Sequence, residues 1–182
     1  VRRTRMNHVL LEHLWPKLKL ALTIDFRMSS SGMHSDYILP TAGYYETNGI
    51  KYDDTKSPYH AFKGKAADPI GESLDQWTIY ARLCKKIQEL APEMGFTEYR
   101  DELFRVDHDL ARLYDDFTED GRWSETLDDR VFLKRFMKAD TAFRSVALKD
   151  LETKGALPWT NSGFRSLVTS DYEHGKPFTP AT

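Results

Sequence analysis

The stretch "LALTIDFRMSSSGMHSDYILPTAGYYE", residues 20–46, constrains the fold of this chain more than any other part of it. Leu20–Ile24 is a continuous apolar run of strand length, the kind that α/β proteins cover on both faces. It stops abruptly at Asp25 and Arg27. Ser29, Ser30, Ser31 and Gly32 follow, and residues 31–36 suit a helical turn. A second short strand is expected over Tyr37–Leu39, closed by Pro40, which has no N–H to give to a ladder. In an open α/β sheet, ligands bind beyond the carboxyl ends of the strands. A carboxylate emerging there can accept two N–H groups from a guanine edge, and serine hydroxyls with free backbone N–H groups suit phosphate. A plainer arrangement uses the same residues: Asp25 caps the next turn and Arg27 pairs with it. The residues by themselves leave both open.

The remainder reads mainly as helix. Residues 6–15 form a short helix ended by Pro16. Residues 41–72 are rich in Gly, Pro, Asp and Lys and read as long irregular chain, which in a compact domain is usually functional or subunit-facing. Ser73 and Gln76 form an S-x-x-Q capping box, and Trp77, Tyr80, Cys84, Ile87 and Ala91 follow at helical spacing until Pro92 and Gly95. Tyr99, Leu103, Val106, Leu110, Leu113 and Phe117 predict another helix with an acidic opposite face. "TEDGRWS" breaks it, residues 126–139 form a further helix, and a short one over 146–153 ends at Gly155. The expected division is a segment 1–92 holding the strand-end cluster, a helical segment 93–155, and an irregular tail or connection over 156–182.

Other chemistries are poorly served. His8 and His13 are five apart, off a common helix face, and "DHD" at 107–109 reads as solvated polar surface. Cys84, the one cysteine, falls among core positions. There is no dinucleotide-binding glycine fingerprint, no phosphate-binding lysine loop and no nucleophile elbow. A net charge of −2 gives no electrostatic footprint for nucleic acid. No apolar stretch reaches the roughly 18 residues a spanning helix needs. The chain starts at Val1, enters an apolar helix almost at once and stops in "GKPFTPAT", so it is expected to be an excerpt of a longer polypeptide.

The order of motifs adds a family. "DFRMS" after an apolar strand, then "SDYILPTAGYYE", then "GESLDQWTIYARLCKKIQELA" after a long loop, resembles catalytic subunits of the DMSO reductase family of molybdoenzymes. Ser35–Pro40 stands for that family's "ADxxLP" segment, and Leu74-Asp75-Gln76-Trp77 for its helix-opening "SDW" with one residue inserted. The resemblance covers roughly residues 14–91 and is greatest to the subgroup of membrane-bound nitrate reductase, dimethylsulfide dehydrogenase and ethylbenzene dehydrogenase, leaning toward the hydrocarbon-hydroxylating members. It implies an α/β fold with a partial, open, mostly parallel sheet flanked by helices, part of the third domain of a large subunit, with a helix-rich second half. It implies a molybdenum bis(molybdopterin guanine dinucleotide) cofactor, one guanine dinucleotide of which this segment helps to hold. Ile24 and Asp25 match the strand-end pair that contacts the nucleotide, and Asp75 the helix-start aspartate that approaches it. Arg27 and Ser29 share the strand-end loop. Thr47 stands where some members carry a lysine after the loop glutamate, here Glu46.

The resemblance places the molybdenum ligand and the ligands of a 4Fe–4S cluster outside this segment, which alone is then not catalytic. It implies an iron–sulfur beta subunit and a haem or membrane electron-transfer subunit as partners, with the parent in the periplasm or on the cytoplasmic face of the inner membrane. The competing reading is a non-catalytic α/β interaction domain whose 41–72 segment and acidic helix bind a partner subunit.

Overall fold

The computed structural model describes residues 7–53, 59–140, 143 and 146–158. It is an α/β structure of small sheets and five helices, and its contacts group the chain into two units. The first comprises residues up to Thr47 together with Ala67–Leu127, and the second comprises Asn48–Ala66 together with the chain from Asp128 onward.

The first unit opens with a helical segment that changes pitch: one α-turn at Asn7–Val9 (α1), a π-turn over Leu10–Leu14, and a 3-10 turn over Trp15–Lys17 carrying Pro16. Trp15 ties this segment down by donating its indole N–H to the His34 carbonyl. Strand β1 (Leu22–Asp25) then pairs in parallel with β2 (Tyr37–Pro40), Leu22 opposite Tyr37 and Asp25 opposite Pro40. The connection contains the expected helical turn, Gly32–His34. Gly32 packs closely there, since a Cβ at that position would meet Ile38 Cδ1 at 3.2 Å. Polar side chains fix the crossover: the Thr23 and Ser35 hydroxyls share a 2.6 Å hydrogen bond, and the Asp36 carboxylate accepts from Ala21 N–H at 2.8 Å.

Helix α2 spans Gln76–Glu93 and carries Pro92 in its last turn, with Gly95 beyond it at φ +64°. Its cap differs from the expected one. Asp75 is the N-cap and accepts from Thr78 N–H at 3.0 Å, while the Ser73 hydroxyl donates to the Ile70 carbonyl. An aspartate one residue before the helix satisfies the same orphan donor as the serine of a capping box, and is at least as good a cap. Two faces of α2 are used. Trp77 stacks on Phe117 of α3 (Leu113–Thr118) at 4.6 Å, and Gln88 Oε1 accepts from Tyr114 N–H at 2.7 Å. Ile79 and Leu83 of α2, with Leu74 just before it, line a pocket together with Leu39 and Pro40 of β2. The apolar stripe is thus offset from the expected one, and Tyr80 and Ile87 lie exposed.

The long acidic helix expected over residues 99–117 is not formed. Its first part is an antiparallel hairpin of β5 (Glu98–Asp101) and β6 (Val106–Asp109), and only a 3-10 turn at Leu110–Arg112 and α3 remain helical. The Asp101 carboxylate accepts from both Leu103 N–H (2.9 Å) and Phe104 N–H (3.0 Å), and Arg105 adopts φ +56°. Such side-chain acceptors offer the backbone an alternative to helix. The "DHD" segment therefore lies on a strand, where Asp107 pairs with Arg100 at 2.7 Å and Asp109 caps Ala111 N–H.

In the second unit, residues 49–53 and 59–63 correct the expectation of irregular chain over 41–72. Strands β3 (Gly49–Asp53) and β4 (Tyr59–Lys63) pair in antiparallel fashion, and β7 (Ala156–Pro158), placed in the expected tail, pairs with β4. Their alternation of apolar and polar residues is short and flanked by Asp, Lys and Pro, so the loop signal masks it. Helices α4 (Asp129–Ala139) and α5 (Leu148–Lys154) cover this sheet, and α5 ends at Gly155 with φ +75°. Leu133, Met137, Phe143, Leu148 and Leu151 form the core, packed against Ile50, Phe62 and Leu157 of the strands. Among the described residues, parallel pairing is confined to β1, β2 and a bridge between Thr41 and Leu74.

Candidate functional site: the ends of the parallel strands

The bridge between Thr41 and Leu74 organises the site. Thr41 N–H donates to the Asp25 carbonyl at 3.2 Å, which carries the β1–β2 pairing one residue further. On the other side, Ala42 N–H donates to the Leu74 carbonyl at 2.8 Å, and Leu74 N–H donates to the Pro40 carbonyl at 3.3 Å. The buried Thr41 hydroxyl adds a bond to the Leu74 carbonyl at 3.1 Å. A continuous ladder therefore runs from the end of β1 across the end of β2 to residue 74, and α2 starts two residues later. This is the carboxyl edge of a parallel arrangement beside a helix start, the place where open α/β sheets bind ligands.

Five of the six sequence-predicted residues are near or on this ladder by chain position. Ile24 and Asp25 close β1 opposite Leu39 and Pro40, and Asp75 adjoins Leu74. No hydrogen bond or ion pair from a described residue reaches the half-buried Asp25 carboxylate, so it neither caps the next turn nor pairs with Arg27. Exposed Arg27 lies over the Phe26 ring, 5.5 Å from its centroid, with its donors open to solvent. Ser29 Oγ accepts from Gly32 N–H at 3.3 Å and keeps its own proton to donate. The Asp75 carboxylate serves Thr78 twice, through the backbone N–H and the hydroxyl. Thr47 is half-buried at the far end of the next loop, where Glu46 Oε2 accepts from Gly43 N–H at 2.7 Å. Ile24 and Asp25 thus lie on the ladder, Asp75 follows its last residue, Arg27 and Ser29 come shortly after β1 in the chain, and Thr47 lies further along.

Sequence reasoning missed Thr41. Its signal was a β-branched hydroxyl residue immediately after the proline expected to end the strand. A pocket of about 290 Å³ also borders the ladder, walled by Leu39, Pro40, Leu74, Ile79 and Leu83 with Glu72 and Arg82.

The other perturbed groups near α2 serve packing. Burial raises the Cys84 thiol, while its own backbone contact works the other way, so burial favours the neutral thiol. Burial works to raise the Glu125 carboxyl, but hydrogen bonds from Tyr114, the backbone and Ser124, together with the charge of Lys85 at 3.9 Å, outweigh it and hold it below the usual glutamate value. The Tyr114 hydroxyl is raised, first by its hydrogen bond to Glu125.

Comparison with known proteins places the chain among relatives of one kind. Residues 3–86 match the family model described as molybdopterin oxidoreductase. Respiratory nitrate reductase subunit alpha of Haloferax mediterranei is 41% identical over 119 residues, which is 65% of this chain and 12% of that protein. Perchlorate reductase subunit alpha of Dechloromonas aromatica is 30% identical over 173 residues, 93% of this chain and 17% of that protein. Dimethylsulfide dehydrogenase subunit alpha of Rhodovulum sulfidophilum is 37% identical over 106 residues, 57% of this chain and 11% of that protein. The chain spans no more than 17% of the length of these relatives. The perchlorate reductase match spans 93% of this chain and so carries the similarity well past residue 91.

Proposed function

We propose, from the premise that this chain is homologous to part of the alpha subunits of molybdopterin oxidoreductases, that the β1–β2 ends hold one guanine dinucleotide half of a bis(molybdopterin guanine dinucleotide) cofactor. The observation that carries the reading is Asp25. A half-buried carboxylate at a strand end with no partner among the described residues fits a ligand that brings its own N–H donors. Guanine offers two such donors on one edge, and one carboxylate can accept both. Ile24 would lie along the base, while Arg27 and Ser29 supply donors for phosphate oxygens. Asp75 fixes the start of α2 and keeps free lone pairs toward the nucleotide. Thr47 offers a hydroxyl where a lysine would add charge.

In this reading residues 1–92 are the cofactor-binding segment. The cofactor, when bound, supplies two-electron chemistry at molybdenum; this segment's residues bind and orient it. The relatives act in both directions by their names, as nitrate and perchlorate reductases and as a dimethylsulfide dehydrogenase. The parent's reaction is accordingly either reduction of an oxyanion or hydroxylation of an organic substrate. A 4Fe–4S cluster elsewhere in the parent, an iron–sulfur beta subunit and a haem or membrane subunit would carry the electrons. Molybdenum and GMP released by acid from the purified full-length protein test the reading: about one molybdenum and two GMP per chain are expected from the two-dinucleotide chemistry. Absence of both from active, folded protein would leave the non-catalytic interaction domain as the better account.

A further inference from the structure

Both carboxylates assigned to the nucleotide are tied to one buried residue that touches neither of them. Pro40 closes β2 opposite Asp25 but has no N–H to give. The last rung of the β1–β2 pairing therefore comes from Thr41, whose N–H donates to the Asp25 carbonyl at 3.2 Å. In the other direction the Thr41 hydroxyl donates to the Leu74 carbonyl at 3.1 Å. That oxygen also accepts from Ala42 N–H at 2.8 Å, so both of its lone pairs are used. The peptide unit joining Leu74 to Asp75 is thus fixed in direction just before Asp75 caps α2 through Thr78 N–H. Thr41 is 6% exposed, and these bonds lie wholly within the first unit. Valine would serve the backbone rungs equally well, so the buried hydroxyl adds a constraint that the ladder itself does not need.

We infer that Thr41 is a positioning residue for the dinucleotide site: its hydroxyl sets Asp75 relative to Asp25, so that one ligand meets both carboxylates. The inference rests on the cofactor reading and adds to it a residue that acts through the contacts rather than on the ligand. Loss of the hydroxyl leaves the Leu74 carbonyl its bond from Ala42, so no buried acceptor is orphaned and the fold changes little. The Leu74–Asp75 peptide is then free to turn, and hydrogen bonds weaken steeply as their angle departs from linear.

The test follows GMP and molybdenum lost during dialysis of the purified full-length protein. Thr41→Val keeps the shape and the backbone donor. It should speed the loss about fivefold, the equivalent of one ordinary hydrogen bond, at a melting temperature close to wild type. Thr41→Ser, which keeps the hydroxyl, should hold the wild-type rate. In an Asp25→Ala/Asp75→Asn background, Thr41→Val should add nothing, because the carboxylates it positions are gone. A wild-type rate in Thr41→Val overturns the inference, as does a Thr41→Ser rate as fast as that of Thr41→Val. So does a full added effect in the Asp25→Ala/Asp75→Asn background, or a faster loss that comes with a lowered melting temperature, since the hydroxyl would then serve the fold alone. All of these leave the cofactor reading standing, because wild type still carries GMP. Wild-type protein purified without GMP overturns the cofactor reading, and this inference with it.

Discussion

At Asp75 two demands meet on one carboxylate. It caps an 18-residue helix and, in the proposed reading, also faces a nucleotide. Asp75→Ala should destabilise the protein by about 0.5 to 2 kcal/mol, as loss of an N-cap does, whereas Asp75→Asn should stay near wild type in a urea titration. A normal melting curve for Asp75→Asn with lowered GMP content would separate the nucleotide contact from the cap; normal GMP would assign the residue to capping alone. Glu125 gives a pH signature. Its carboxyl is held below the usual glutamate value, so its stabilising contribution is present at neutral pH and is lost as pH falls through that lowered value. Glu125→Gln should therefore flatten the acid limb of a melting-temperature profile, and an unchanged acid limb would remove the Tyr114–Glu125–Lys85 cluster from the account. The position of Asp25 at the end of β1 was legible in the sequence because the apolar run stops there. Thr41 was not, because its role depends on a bridge to a residue 33 positions away.

Among the elements, α2 was legible in its approximate extent but not in its cap or its orientation. Its breakers are local, whereas the face it buries depends on α3 and β2, which the heptad spacing does not identify. Trp77 is nonetheless central to it, stacked on Phe117 and donating its indole N–H to the Trp123 carbonyl at 2.8 Å. Trp77→Ala should cost about 3 kcal/mol in denaturant, as for truncation of a large aromatic side chain; a loss under about 1 kcal/mol would mean that the contact with α3 contributes little. The 99–117 segment misleads for an instructive reason. Tyr99, Leu103 and Val106 fall at helical intervals, yet Tyr99 and Val106 also lie on one face of a hairpin, and Asp101 decides the matter by bonding the next turn. The 49–63 hairpin is hidden by composition, its strands completed only by β7 from the far end of the described chain.

The two units differ in how well they fill themselves. The second has a core of large side chains, with Leu151 fully buried and Phe143 at 2% exposure. In the first, the buried apolar residues are Ile79, Ala81 and Ala91, while every exposed large hydrophobic of the described chain except Tyr59 and Val131 lies there. Strand β1 pairs on one side alone among the described residues, and an unpaired edge is a template for association. The 182-residue chain on its own should therefore self-associate at micromolar concentration, and a sharply melting monomer by light scattering and calorimetry would contradict this. The α/β class was readable from one apolar run followed by capped helices. The antiparallel sheets were not, because their pairings join residues distant in sequence.

The central claim is that the end of β1 is a nucleotide-binding edge, and Asp25→Ala in the full-length protein tests it most directly. Each charge-assisted hydrogen bond to the base contributes about 1.5 to 3 kcal/mol, so retention of one dinucleotide should weaken tenfold or more. The carboxylate makes no bond to the described protein residues, so the fold should lose little with it. Molybdenum and GMP per purified chain are to be measured beside the melting temperature. The account predicts depleted GMP and molybdenum at an unchanged melting temperature. Wild-type contents with a lowered melting temperature would contradict it and make Asp25 a structural residue.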